Sequence, residues 1–219
     1  IGMTIFAKDL AENENVYLSE KVIKIDILHN SVNIICDSNK TFEAKKIVMT
    51  CPLPQSLEIL KTSDIDYPKD LNTILYGKAI VGLLEFNSEN NTQYDFNLLK
   101  PNSNIFTIAN NQAKGISNKL ALSVVMSESW SDYHFNLEDT ELLHLIQIEL
   151  QKHFNSELPI IKCQLKKWRY AQPSTVYNEK HVSLNNGQII IAGDAFGGGS
   201  IAGALRSANS AFEFLNTSI

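Results

Sequence analysis

One stretch near the C-terminus constrains this chain more than any other: Gly187-Gln-Ile-Ile-Ile-Ala-Gly-Asp-Ala-Phe-Gly-Gly-Gly-Ser-Ile-Ala-Gly-Ala204. An apolar strand over 189–192 runs straight into Gly193 and Asp194. Gly197, Gly198 and Gly199 follow, and a helix opens at Ser200 or Ile201. A carboxylate at a strand end can accept hydrogen bonds from sugar-like hydroxyls, or it can cap its own loop. Glycines remove side chains where backbone must approach something closely, and Gly193 suits a turn with positive φ. The helix N-terminus aims its N–H groups and dipole at the same place. Together these features suit a polyhydroxylated ligand that carries phosphate.

The helix predicted over 201–215 has two stripes. Ile201, Ala204, Leu205, Ala208, Phe212 and Leu215 form an apolar face. Gly203, Ser207 and Ser210 form a small-residue stripe suited to close approach, with or without a ligand.

The rest of the chain reads as short strands and a few helices. Residues 4–12 space Ile5, Phe6 and Leu10 as an amphipathic helix, and 16–18 reads as a short strand. Strands at 21–28, 32–36 and 41–44, separated by Asn/Asp/Ser turns, make an antiparallel meander. A more fully apolar strand, 46–50, leaves its sheet at Thr50-Cys-Pro-Leu-Pro54. A short helix over 55–61 follows. Strands are expected at 73–86, 93–109 and 120–127, with 87–92 as a hairpin loop. Asn136 suits the N-cap of a helix over 138–154 whose apolar face is Leu142, Leu143, Ile146, Leu150 and Phe154. A strand over 161–170 precedes the terminal unit. This order predicts a discontinuous domain, 1–52 with 180–219, and an inserted domain, 53–179.

Composition excludes several partners. A net charge of −5, with no Lys/Arg run, argues against nucleic acid or a membrane surface. Cys36, Cys51 and Cys163 are odd in number and show no metal-type spacing, so neither a disulfide framework nor a metal site is expected. Cysteine usage suits a reducing, cytoplasmic setting. No apolar run approaches transmembrane length, and no signal peptide is visible.

The motif over 191–204 resembles the C-terminal FAD motif of the flavin-containing amine oxidoreductases, in particular their renalase-like bacterial branch. Lys21-Val-Ile-Lys-Ile-Asp26 looks like the strand that meets the adenine end of FAD. Ile47-Val-Met-Thr-Cys-Pro-Leu-Pro-Gln-Ser56 looks like the crossover into the substrate domain. Ser129-Trp-Ser131 and Lys167-Trp-Arg-Tyr-Ala-Gln-Pro173 look like later landmarks of the same family. The resemblance implies an α/β (α+β) fold: a partial FAD-binding Rossmann-like domain with an inserted substrate domain built on a mixed or antiparallel sheet. It further implies that Asp194 binds the ribityl or pyrophosphate part of FAD. Gly193, Gly199 and backbone groups at Ser200, Ile201 and Ala202 would belong to the cofactor site, and Val22 would contact the adenosine. Ala202 stands where many relatives carry an acid, so a side-chain role there is lost. No G-x-G-x-x-G occurs, which puts the family's first cofactor motif upstream of Ile1 or on a partner chain.

The resulting expectation is the C-terminal portion of an FAD-dependent oxidoreductase that moves a hydride from an amine or reduced dinucleotide-like small molecule to flavin. The chain alone is expected to be inactive. Trp168 and Tyr170, on alternate positions of one strand, are candidates to line the substrate pocket, and ordinary core packing explains them equally well. Arg169 would face the other way. Two further readings stay open: a non-catalytic fragment or split half that needs a G-x-G-x-x-G partner segment, and a binding module that reuses the fold.

Overall fold

The computed structural model describes residues 4–87, 103–153 and 159–217. Along the chain lie α1 (Thr4–Leu10), β1 (Val22–Ile27), β2 (Val32–Cys36), β3 (Thr41–Ala44), β4 (Ile47–Met49) and α2 (Leu53–Thr62). A 3-10 turn at Lys69–Thr73 precedes β5 (Tyr76–Phe86), β6 (Ile105–Asn110) and β7 (Ala121–Met126). Then come α3 (Glu128–His134), α4 (Asp139–Gln151), β8 (Ile160–Pro173), β9 (Val182–Leu184), β10 (Ile189–Ile191), α5 (Asp194–Gly197) and α6 (Ile201–Thr217).

The chain divides into two interleaved compact units, Asn15–Tyr76 with Gln172–Ile219, and Ile1–Glu14 with Gly77–Ala171. Residues 53–76 group with the two ends rather than with the middle. The reason is packing: Leu53, Leu57 and Leu60 of α2 share one core with Ile25, Met49 and Ile191.

In the terminal unit, β1, β2 and β3 form the antiparallel meander that the turn residues predict. Asn39 takes positive φ in the second turn, a conformation asparagine tolerates. The strand expected at 16–18 is absent: Val16, Tyr17 and Leu18 are exposed and irregular, with the Tyr17 ring 4.8 Å from the Phe42 ring. A second sheet runs β4-β10-β9, with β10 parallel to β4 and antiparallel to β9. All three residues of β10 are fully buried, as a strand covered on both faces requires. Ile189 and Ile191 face the core built from β1, β2 and α2, while Ile190 faces α6 with Ala211 and Phe214.

Of the two stripes expected on α6, the small-residue one is buried rather than the larger apolar one. Its buried stripe is Gly203, Ser207 and Ala211, whereas Ile201, Leu205 and Phe212 are exposed. Small residues win because the backbone comes so close that nothing larger fits. A Cβ on Gly203 would lie 2.8 Å from the Gly197 carbonyl carbon. Buried Ser207 ties the layers together, accepting from the Gly193 N–H at 2.9 Å and donating to the Lys180 carbonyl at 2.6 Å.

The middle unit carries a sheet of order β6-β7-β5-β8. Of the strand expected at 93–109, residues 105–109 fall within β6, and 93–102 lie outside the described residues, as do 88–92 of the hairpin loop. One side of the sheet, including Ile80, Leu84, Leu122 and Val124, packs with Leu142, Ile146 and Leu150 of α4. Gly82 makes room for Ile146, whose Cγ2 would lie 3.0 Å from an added Cβ. Phe154 lies outside the described residues. Helix α3, which the sequence reading did not predict, begins at Ser127, whose hydroxyl accepts from the Trp130 N–H. Because α3 and its exit occupy 128–137, Asn136 is not a cap; Glu138 holds the N-cap of α4 without a side-chain bond. Helix α1 forms as predicted, with Ile5, Phe6 and Leu10 exposed.

The substitution Ser207→Ala should remove both hydrogen bonds of a fully buried hydroxyl and strand the Gly193 N–H. A loss of roughly 1–3 kcal/mol in unfolding free energy is expected, read by denaturant titration.

Candidate functional site

The end of β10 delivers its backbone to Gly193, whose φ of +143° is open to glycine. Residues 194–197 wind into the single turn of α5, so of the three loop glycines only Gly198 and Gly199 lie outside a helix. The glycines around it serve the chain's own packing first. A Cβ on Gly197 would sit 1.7 Å from the Gly203 carbonyl oxygen, so α5 and α6 touch backbone to backbone. Gly198 and Gly199 both take positive φ and carry the chain from α5 into α6. Gly199 donates its N–H to the Asp194 carbonyl at 3.0 Å and abuts Pro173. Arg206 closes the turn from α6, its Nη2 donating to the Gly197 carbonyl at 2.8 Å.

Asp194 stands at the mouth of this arrangement, half-buried. Its Oδ1 accepts from the Tyr76 hydroxyl at 2.6 Å. Among the described residues no ion pair reaches the carboxylate, and Oδ2 accepts no hydrogen bond. The Tyr76 hydroxyl also accepts, at 3.4 Å, from the N–H of Leu53 at the start of α2. Burial first, and then the bond to Asp194, push the Tyr76 phenol far above its ordinary value. The sequence reading missed Tyr76. It lies 118 positions from Asp194, and nothing local marks the pairing.

At the start of α6 the Ser200 hydroxyl accepts from the Gly203 N–H at 3.1 Å, and the Ser200 carbonyl from the Ala204 N–H at 2.8 Å. The N–H groups of Ile201 and Ala202 belong to the first turn, where no intrahelical acceptor exists. Both residues are exposed, so these donors are open to an incoming acceptor.

Val22 lies elsewhere in the same unit. It lines a cleft of about 740 Å³ with Glu20, Val48, Thr50, Cys51 and Ile59, between β1, β4 and one face of α2. That volume is in the range of small-molecule and cofactor sites. Strand β4 is an edge of its sheet among the described residues, and the alternation of a parallel ladder turns the Val48 N–H and C=O away from β10.

In the middle unit, Trp168 is 53% exposed on β8 and Tyr170 is half-buried two residues on, so both project from one face of the strand. Arg169 faces oppositely, its guanidinium 5.3 Å from the Phe135 ring centre. Lys78 and Lys167 approach the same ring at 5.3 and 5.5 Å.

These features can be set beside known proteins. The sequence profile of the flavin containing amine oxidoreductase family matches residues 1–211, and the chain belongs to that family. No curated protein sequence matches it. Among solved structures it is similar to a protein assigned as a protoporphyrinogen oxidase from Exiguobacterium sp. 255-15, with a TM-score of 0.73 and 14% identity. That match covers 99% of this chain and 51% of the other. A redesigned putrescine oxidase variant matches with a TM-score of 0.67 and 15% identity over 99% of this chain and 53% of that one. The chain thus spans about half the length of the structures it matches, and at such identities the likeness is one of fold. The mixed α/β class is as expected, and the family's flavin agrees with FAD as the expected cofactor. No helix among the described residues is long and apolar enough to cross a membrane.

Two outcomes follow from this geometry. Gly197→Ala should force α5 and α6 apart and lower the thermal midpoint by several degrees or prevent folding, measured by circular dichroism. Tyr76 is protonated in the folded protein at pH values where the unfolded phenol ionises. Its contribution is therefore complete below a pH of about 10 and is lost as pH rises above that. Denaturant melts at pH 9 and 11 should show a larger loss for the native sequence than for Tyr76→Phe.

Proposed function

We propose that this chain is the C-terminal part of an FAD-dependent oxidoreductase, with Asp194 and the start of α6 as its half of the cofactor site. One observation carries the reading. At the C-terminal end of a buried strand that pairs in parallel, a carboxylate is held through one oxygen and free at the other, a few residues before a helix whose first N–H groups are open. That donor and acceptor set fits a flavin cofactor: hydroxyls of the ribityl chain for Oδ2, and an electron-rich acceptor for the Ile201 and Ala202 N–H groups. Ser200 keeps the first turn of α6 closed, and Gly193 and Gly199 shape the approach. Val22 and the cleft beside it would take the adenosine end. When bound, the flavin supplies hydride acceptance, and the protein positions the substrate and excludes water. An amine, or a reduced dinucleotide-like molecule as in the renalase-like branch, is the proposed substrate class, with Trp168 and Tyr170 lining its pocket. The grip on the pyrophosphate comes from a glycine-rich segment upstream or on a partner chain, and residues 1–219 alone are inactive.

The test is to purify the complete polypeptide, together with any partner chain, and record its spectrum. Flavin absorbance, with FAD affinity at least about 10-fold weaker in Asp194→Ala, is the expected result. A colourless protein that ignores added FAD would sink the proposal and favour a binding module.

A further inference from the structure

We infer that Tyr76 is a positioning residue for the cofactor: its hydroxyl holds the Asp194 carboxylate in its ligand-ready rotamer before any ligand arrives. The inference rests on the reading of Asp194 as a cofactor ligand, and it adds a residue that no local motif contains.

The geometry is directional. A phenol has one proton to give, and here it goes to Asp194 Oδ1 at 2.6 Å. The Leu53 N–H occupies an acceptor site on the same oxygen, at 3.4 Å. That N–H opens α2, whose N-cap, Pro52, has no side chain able to satisfy it. The hydroxyl is thereby polarised in one sense, from a helix N-terminus through the phenol to the carboxylate. The donor cannot turn round, because both neighbours are fixed: one has only a proton to give and the other only lone pairs.

Among the described residues no other side chain hydrogen-bonds to the carboxylate or pairs with it. Arg206, on the neighbouring turn of α6, spends both Nε and Nη2 on the Gly197 carbonyl. Without the phenol, Asp194 would lose the one side-chain hydrogen bond that fixes its carboxylate. Binding would then have to order it, at a cost typical of an immobilised side chain. With the phenol, Oδ1 is taken and Oδ2 is the oxygen left to meet a hydroxyl. Tyr76 also ends the segment of the terminal unit that begins at Asn15, so the restraint comes from within the same compact unit as Asp194.

The test is a double-mutant cycle on FAD affinity, read by quenching of flavin fluorescence in the complete protein. Tyr76→Phe should weaken FAD binding roughly 3- to 10-fold when Asp194 is present, and by less than about twofold in the Asp194→Ala background. Equal weakening in both backgrounds would mean that Tyr76 acts only through the fold, and would overturn the inference, as would no weakening in either. Failure of the unsubstituted protein to bind FAD would instead overturn the reading of the site itself. If Tyr76→Phe does not fold, 3,5-difluorotyrosine incorporated at position 76 keeps the shape and changes the donor. An altered FAD affinity with Asp194 present, and none in the Asp194→Ala background, supports the inference, and an unaltered affinity in both overturns it.

Discussion

The parallel pairing of β10 with β4 is the contact on which the terminal unit depends. Ile189, Ile190 and Ile191 show no exposure, and they face two different layers. The meander and α2 rest on one side of this short strand, and α6 rests on the other. The strand also sets where Gly193 and Asp194 emerge. Every candidate cofactor group near the C-terminus takes its place from those three isoleucines.

Much of this was legible in the sequence. The alternation in 21–28 and the Asn-containing turns specify the meander, because side chains that alternate faces leave one register that buries Ile25 and Val32. The run of isoleucines before Gly193 reads as a buried strand for the same physical reason. The small-residue stripe of α6 was legible as a surface for close approach, but its precedence over the larger apolar face was not. Apolar periodicity points to Ile201, Leu205 and Phe212, yet the buried stripe is Gly203, Ser207 and Ala211. Hydrophobicity assigns a helix face only when the neighbour is at side-chain distance; here the neighbour is the backbone of α5. Tyr76 escaped for a different reason. Its partner is distant in the chain, and a tyrosine opening a strand is unremarkable by composition.

The candidate site also shows how glycines can serve two ends at once. Gly197 and Gly203 are required by the contact between α5 and α6, and Gly198 and Gly199 by their φ values. A glycine-rich loop suggests room for a ligand, but most of the space these glycines free is filled by protein. The open chemistry lies beside them, in one oxygen of Asp194 and two N–H groups of α6.

The interleaving of the two units has a kinetic meaning. Strand β4 leaves the ribosome long before β10, and the whole of residues 77–171 intervenes. Such a pairing carries a high contact order and a large loop-closure entropy. Yet β5 and β8, which open and close that intervening segment, are neighbours in its sheet. Once the sheet has formed, the effective loop between β4 and β10 no longer includes residues 77–171, which lowers the entropy cost of closing it. The inserted unit thus acts as a clamp on the chain's own topology, drawing together the two stretches that carry β4 and β10.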